Sequence, residues 1–213
     1  MTKQEVRSLI YNLLPKYDQT NKYHFLVLDA VIEKVLAQWY NYAFVLDPLS
    51  LQRYCKRYGG TFTIPVSLDV GANLYYTTYP EKIIPFADKA SGVRRVTTKT
   101  QSGIKFYPLD QREVELIDNG SYFENVNSKI GYIVTQDRIE YYGMTAVIAG
   151  EGVRLDLIVP FSAYADTDNV LIPEITDPQG ATFAEAVLKI LGVIQPPDSI
   201  DDNTDKTPTK EQK

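Results

Sequence analysis

The chain changes texture once, at Gly59-Gly60, and that change limits the folds open to it. Before the two glycines, apolar residues recur every three or four positions. After them, short β-branched and aromatic runs are separated by Gly, Pro, Asn and Asp. A period near 3.6 gives a helix one apolar face, and short runs bounded by turn residues give strands. Helices followed by strands predict the α+β class, with a helical N-terminal part of two to three helices packed on an antiparallel β domain. A chain of 213 residues, 44% of them hydrophobic, is long enough to bury one sizeable core.

The helical part, residues 1–60, opens with Thr2 and Glu5 at the spacing of a capping box. Val6, Leu9, Ile10, Leu13 and Leu14 follow on one face, and Pro15 is the expected stop. A second helix is predicted from Asn21 to Leu46, about seven turns, because Phe25, Leu28, Ile32, Val35, Leu36 and Trp39 share a face and no proline interrupts them. Tyr40, Tyr42 and Phe44 are read as lying off that stripe. Asp47-Pro48 reads as the start of a third helix carrying Leu51, Tyr54, Cys55 and Tyr58, which Gly59-Gly60 ends.

In the β domain, residues 61–195, strands are expected at 61–68, 74–78, 93–97, 104–107, 130–135, 138–142 and 153–159. The two residues Gln136-Asp137 have hairpin length. Asp110 and Glu113 have capping-box spacing for a short helix that turns Val114 and Ile117 inward. A closing helix is predicted from Phe183, Val187, Leu188 and Leu191, after Pro178-Gln179-Gly180 and before Gly192. Residues 196–213 are almost free of apolar side chains, so they are expected to form a flexible tail that orders only on a partner.

Several function classes lose support at this level. A net charge of -5 gives no general attraction for nucleic-acid phosphates. One cysteine, Cys55, and one histidine, His24, cannot assemble a His/Cys zinc site, and Cys55 reads as a small buried residue. There is no P-loop, dinucleotide fingerprint or nucleophile elbow, so no cofactor is implied. Gly71 and Gly150-Glu151-Gly152 read as turn glycines. The nearest acid pairs, Asp29 with Glu33 and Asp166 with Asp168, read as a helix surface and a polar loop. No apolar run has membrane-spanning length, and Met1-Thr2-Lys3-Gln4-Glu5 lacks signal-peptide order, which places synthesis in a cytoplasm.

Tyrosine is the informative excess, 16 against one tryptophan. It clusters at Trp39-Tyr40-Asn41-Tyr42, Tyr75-Tyr76-Thr77-Thr78-Tyr79 and Tyr141-Tyr142. Tyrosine suits partly wet subunit contacts, but adjacent strand tyrosines also point to opposite faces, one of them into a core. Both uses stand.

Five stretches, taken in order, resemble a family of structural proteins from crAss-like and related phages of Bacteroidetes, the small ring (adaptor) proteins of the head-to-tail connector. They are Leu51-Gln52-Arg53-Tyr54-Cys55-Lys56-Arg57-Tyr58, Tyr79-Pro80-Glu81-Lys82-Ile83-Ile84-Pro85, Gly92-Val93-Arg94-Arg95-Val96, Gly131-Tyr132 through Arg138-Ile139-Glu140-Tyr141, and Ile172-Pro173 with the closing helix. The resemblance implies a non-enzymatic virion protein at the head-tail junction, made in the host bacterial cytoplasm. It implies a homo-oligomeric, twelvefold ring that contacts portal and tail-barrel proteins, passes phage DNA through its lumen and touches no membrane. Interface candidates are Trp39, Tyr40, Tyr42 and Phe44 on the long helix, Tyr75, Tyr76 and Tyr79 on the tyrosine run, and Arg94 and Arg95 at a turn. The alternatives are a carbohydrate-binding β module of a tail or surface system, whose tyrosines would stack on sugars, and a hydrolase using an acid pair that sequence distance conceals.

Overall fold

A computed structural model describes residues 1–17, 25–60, 62–99, 104–118, 129–175 and 180–192. The architecture is α+β, with helices at both ends and two sheets between them. Helix α1 (Lys3–Tyr17) starts at the expected capping box: Glu5 N donates to Thr2 Oγ1 at 3.2 Å and Thr2 N donates to the Glu5 carboxylate at 2.7 Å. It does not stop at Pro15. Near the end of a helix the ring's fixed φ is already helical and only one donor is missing, so the turn continues to Tyr17.

Helix α2 (Phe25–Leu46) buries Leu28, Ile32, Val35, Leu36, Trp39, Tyr40 and Ala43. Residues 21–24, which the expected helix included, lie outside the described residues, as does His24. Tyr40 is a correction. It follows Leu36 by four positions, so it lies on the apolar stripe and not beside it.

The expected third helix is also corrected. Asp47 Oδ1 accepts from Leu49 N at 3.0 Å and its carbonyl accepts from Ser50 N, which starts only a 3₁₀ turn, Ser50–Tyr54. Cys55 is already extended, and strand β1 (Lys56–Tyr58) follows inside the region read as helical. Leu51 is buried from the 3₁₀ turn, so its burial does not require the α-helix that the apolar spacing suggested. The ladder to a neighbouring strand decided the matter.

Strands β2 (Ser67–Asp69), β3 (Leu74–Thr78), β4 (Val93–Thr98), β5 (Lys105–Pro108), β6 (Lys129–Val134), β7 (Arg138–Tyr142) and β8 (Val153–Leu157) complete two sheets. One has the order β2-β3-β7-β6-β5 and the other β1-β8-β4. The first expected strand is shorter than its apolar run, with Ile64 reduced to an isolated bridge to Val153. Thr135 and Arg138 pair across Gln136-Asp137, giving the expected hairpin. All pairings are antiparallel except β5 with β6. A parallel pair needs a crossover, and helix α3 (Gln111–Asp118), capped reciprocally by Asp110 and Glu113 at 2.9 Å each, lies in it.

Helix α4 (Ala146–Glu151) was not expected. Thr145 caps it, Gly150 is helical and not a turn residue, and Gly152 ends it at φ 69°. Helix α5 (Phe183–Ile190) closes the fold on a capping box, Thr182 with Glu185, that the apolar spacing alone does not reveal. Thr182→Ala is expected to lower stability by about 1 kcal/mol, read as a lower urea midpoint at an unchanged slope. The tail at 196–213 lies outside the described residues, as do Asp177-Pro178-Gln179 and the side chain of Ile117.

One continuous core joins these parts. Val6 and Ile10 of α1, the α2 stripe, Val96, Leu155 and Leu157 of the small sheet, Ile139 and Tyr141 of the large one, and Val187 of α5 belong to it. The N-terminus is sewn to a loop distant in sequence: Lys3 N and Gln4 N donate to the carbonyls of Asp168 and Asp166, and Val170 N donates to that of Met1. The core therefore runs across residue 60 without a break.

Candidate functional site

The nine interface candidates separate by burial. Trp39 and Tyr40 are 1% and 0% exposed. Trp39 Nε1 donates to Ile175 O and Tyr40 Oη to Leu171 O, both at 3.0 Å, so these two rings hold the loop before α5 onto α2. As direct contacts for a partner they are corrected: a buried ring has no face left to offer. Tyr42 is half-buried, edge-on to Trp39 at 5.8 Å. Phe44 is half-buried against Phe86, with ring centroids 5.3 Å apart.

The tyrosine run does divide between two faces. Tyr75 lies opposite the buried Tyr141, whereas Tyr76 lies opposite Glu140 with the Arg138 guanidinium 4.8 Å above its ring. Tyr79 Oη donates to Thr135 O at 3.2 Å, and burial pushes this phenol's pKa upward. All three are half-buried. They form no open aromatic row of the kind that sugar stacking would need.

Arg94 and Arg95 part company at a β-bulge. Val93 pairs with Leu157 and Arg95 with Asp156, so Arg94 is the extra residue. Its side chain turns inward, 6% exposed, onto Asp88 at 2.6 Å and the rings of Phe86 and Phe44 at 4.9 and 5.5 Å. Arg95 resumes the alternation and faces solvent.

The surface that sequence reading missed lies at the end of α2. Val45, Leu46 and Leu49 are 80%, 72% and 74% exposed. Tyr42, Val45 and Leu46 are spaced i, i+3 and i+4 on α2, the pattern of one helical face, and Leu49 follows in the turn after the helix. The signal was present in the unbroken run Phe44-Val45-Leu46, which outlasts the buried stripe. The bonds of Asp47 to Leu49 and Ser50 fix the turn that holds Leu49 outward. Singly exposed apolar side chains are ordinary, whereas a contiguous set makes a candidate contact surface.

The acid pairs have structural partners. Asp29 is gripped through both oxygens by Arg7, which also reaches Asp166 at 2.6 Å. Glu33 accepts from Ser162 N at 3.0 Å, and Asp168 pairs with Lys56 at 2.8 Å, which holds its carboxyl below the usual range. Burial pushes the Cys55 thiol up to about 12, away from nucleophilic use. Among the described residues no group of His, Cys, Asp or Glu is arranged to hold a metal, and no helix is long and apolar enough to cross a membrane. No family model, curated protein or solved structure matches the chain.

Proposed function

We propose that the protein is a virion structural subunit, one copy in a homo-oligomeric ring of the head-to-tail connector of a tailed phage, with portal and tail-barrel proteins as neighbours. The reading combines the resemblance of the five stretches with one structural observation, the exposed apolar face of Val45, Leu46 and Leu49 where α2 runs into the following turn. That face fits a second copy of the chain.

Magnitudes say how such a ring would form. Covering a Val or Leu side chain contributes about 1.5–3 kcal/mol, whereas association costs roughly 4–15 kcal/mol in lost freedom. Three such side chains barely offset that cost. The free chain is therefore expected to be a monomer or a weak oligomer in dilute solution, and to close into a ring when the portal supplies a template that raises local concentration.

Light scattering with and without the portal protein tests this. Expected is a closed oligomer on the portal, which the double substitution Leu46→Asp, Leu49→Asp abolishes while the circular dichroism stays native. A persistent monomer indifferent to the portal would sink the reading.

A further inference from the structure

We propose that the outer face of the three-stranded sheet is a binding site for a single phosphate group, held by Arg57, Arg95 and Arg154. The inference does not depend on the connector reading. Val153, Leu155 and Leu157 of the central strand β8 point into the core, so the alternate residues Arg154 and Asp156 point out. Arg57 lies opposite Asp156 on one side and Arg95 opposite it on the other, while Thr97 lies opposite Arg154. The bulge at Arg94 is what brings Arg95 to this face.

The cluster is undercompensated. Its one carboxylate, Asp156, is engaged by Arg57, with Nε to Oδ1 at 2.8 Å and Nη2 to Oδ2 at 3.3 Å. Arg95 has no ion-pair partner among the described residues. Arg154 Nε is enclosed by protein and has no acceptor. Its stem lies against Gly59, where an added Cβ would come within 2.9 Å of Val153 O and 3.3 Å of Arg154 Cγ, so glycine leaves the space in which the guanidinium is laid over the sheet. Three cations against one anion gather here on a chain whose net charge is -5.

Arg57, Arg95, Thr97, Arg154 and Asp156 line a hollow of about 40 Å³. A water needs roughly 10–15 Å³ by this measure, so the hollow suits one tetrahedral oxyanion better than a sugar or a base. Guanidinium forks match phosphate oxygens in bidentate geometry. The local concentration of charge and the acidic remainder of the chain favour a single phosphate, free or as a monoester, over the extended backbone of a nucleic acid.

The test is titration of the full chain with sodium phosphate, followed on the arginine Nε–Hε resonances, against sodium chloride at matched ionic strength. Phenyl phosphate and a short DNA duplex serve as parallel probes. Expected is a saturable, phosphate-specific shift of the Arg95 and Arg154 signals, given also by phenyl phosphate and weakened roughly tenfold by Arg95→Gln. Arg95 is exposed, so that variant keeps the fold; Arg154→Lys, which retains the stem over Gly59, should weaken binding as well. An equal response to chloride, undiminished phosphate binding in both variants, or binding of duplex without binding of either small phosphate would each overturn the proposal.

Discussion

Replacing Trp39 by alanine is expected to remove about 3–5 kcal/mol of stability, the range for truncating a large buried aromatic. Domains hold roughly 5–15 kcal/mol in all, so the variant would lose a large fraction of its stability. Three losses combine. The ring vacates a site that is 1% exposed, its edge contacts with Tyr42 and Phe183 vanish, and the Ile175 carbonyl loses its donor. Trp39→Phe separates these terms, because it keeps an aromatic ring against Phe183 and removes only the indole donor and part of the volume; about 1–3 kcal/mol is expected. Urea unfolding followed by circular dichroism is the measurement, since the variants lack the chain's one tryptophan. The result also decides between two roles for the residue. Were Trp39 a contact for a ring neighbour, Trp39→Ala would leave the urea midpoint unchanged and weaken association alone.

Burial also explains how far the sequence could be read. Strands β3, β4, β6, β7 and β8 stand where β-branched and aromatic runs bounded by turn residues placed them, because those patterns have few other uses. The capping boxes at Thr2 and Asp110 were legible because reciprocal caps depend on four residues and little else. Strand β1 was not, because Lys56-Arg57-Tyr58 has no strong local preference and the edge of β8 was there to be paired. Nor was the parallel pairing of β5 with β6, which rests on a crossover rather than on composition.

The candidate site was less legible still. Adjacent residues with the same chemistry take different roles once faces are assigned. Tyr75 turns to the core side while Tyr76 lies under Arg138, and Arg94 turns inward while Arg95 faces solvent. A bulge has no composition signature, yet this one reverses what two neighbouring arginines do.

That bulge also sets up the second large effect. Asp88→Ala is expected to cost about 3 kcal/mol, the lower end of the range for breaking a buried ion pair. It strips the counter-charge from Arg94, whose side chain is 6% exposed and whose Nε and Nη2 already lack acceptors. Arg94→Met should cost clearly less, although it deletes the same ion pair. Methionine keeps most of the volume against Phe44 and Phe86, and the Asp88 side chain, 31% exposed, can turn to water. The asymmetry follows from which partner is left without solvent. Chemical denaturation of the two single variants and of the double variant measures it, and the double variant should fall close to Arg94→Met. If Asp88→Ala proved the milder of the two, the stacking of Arg94 between the phenyl rings would be the main contribution and the ion pair secondary. Arg95 should keep its outward position in Arg94→Met, because the bulge resides in the backbone register of β4 against β8, which neither side chain sets.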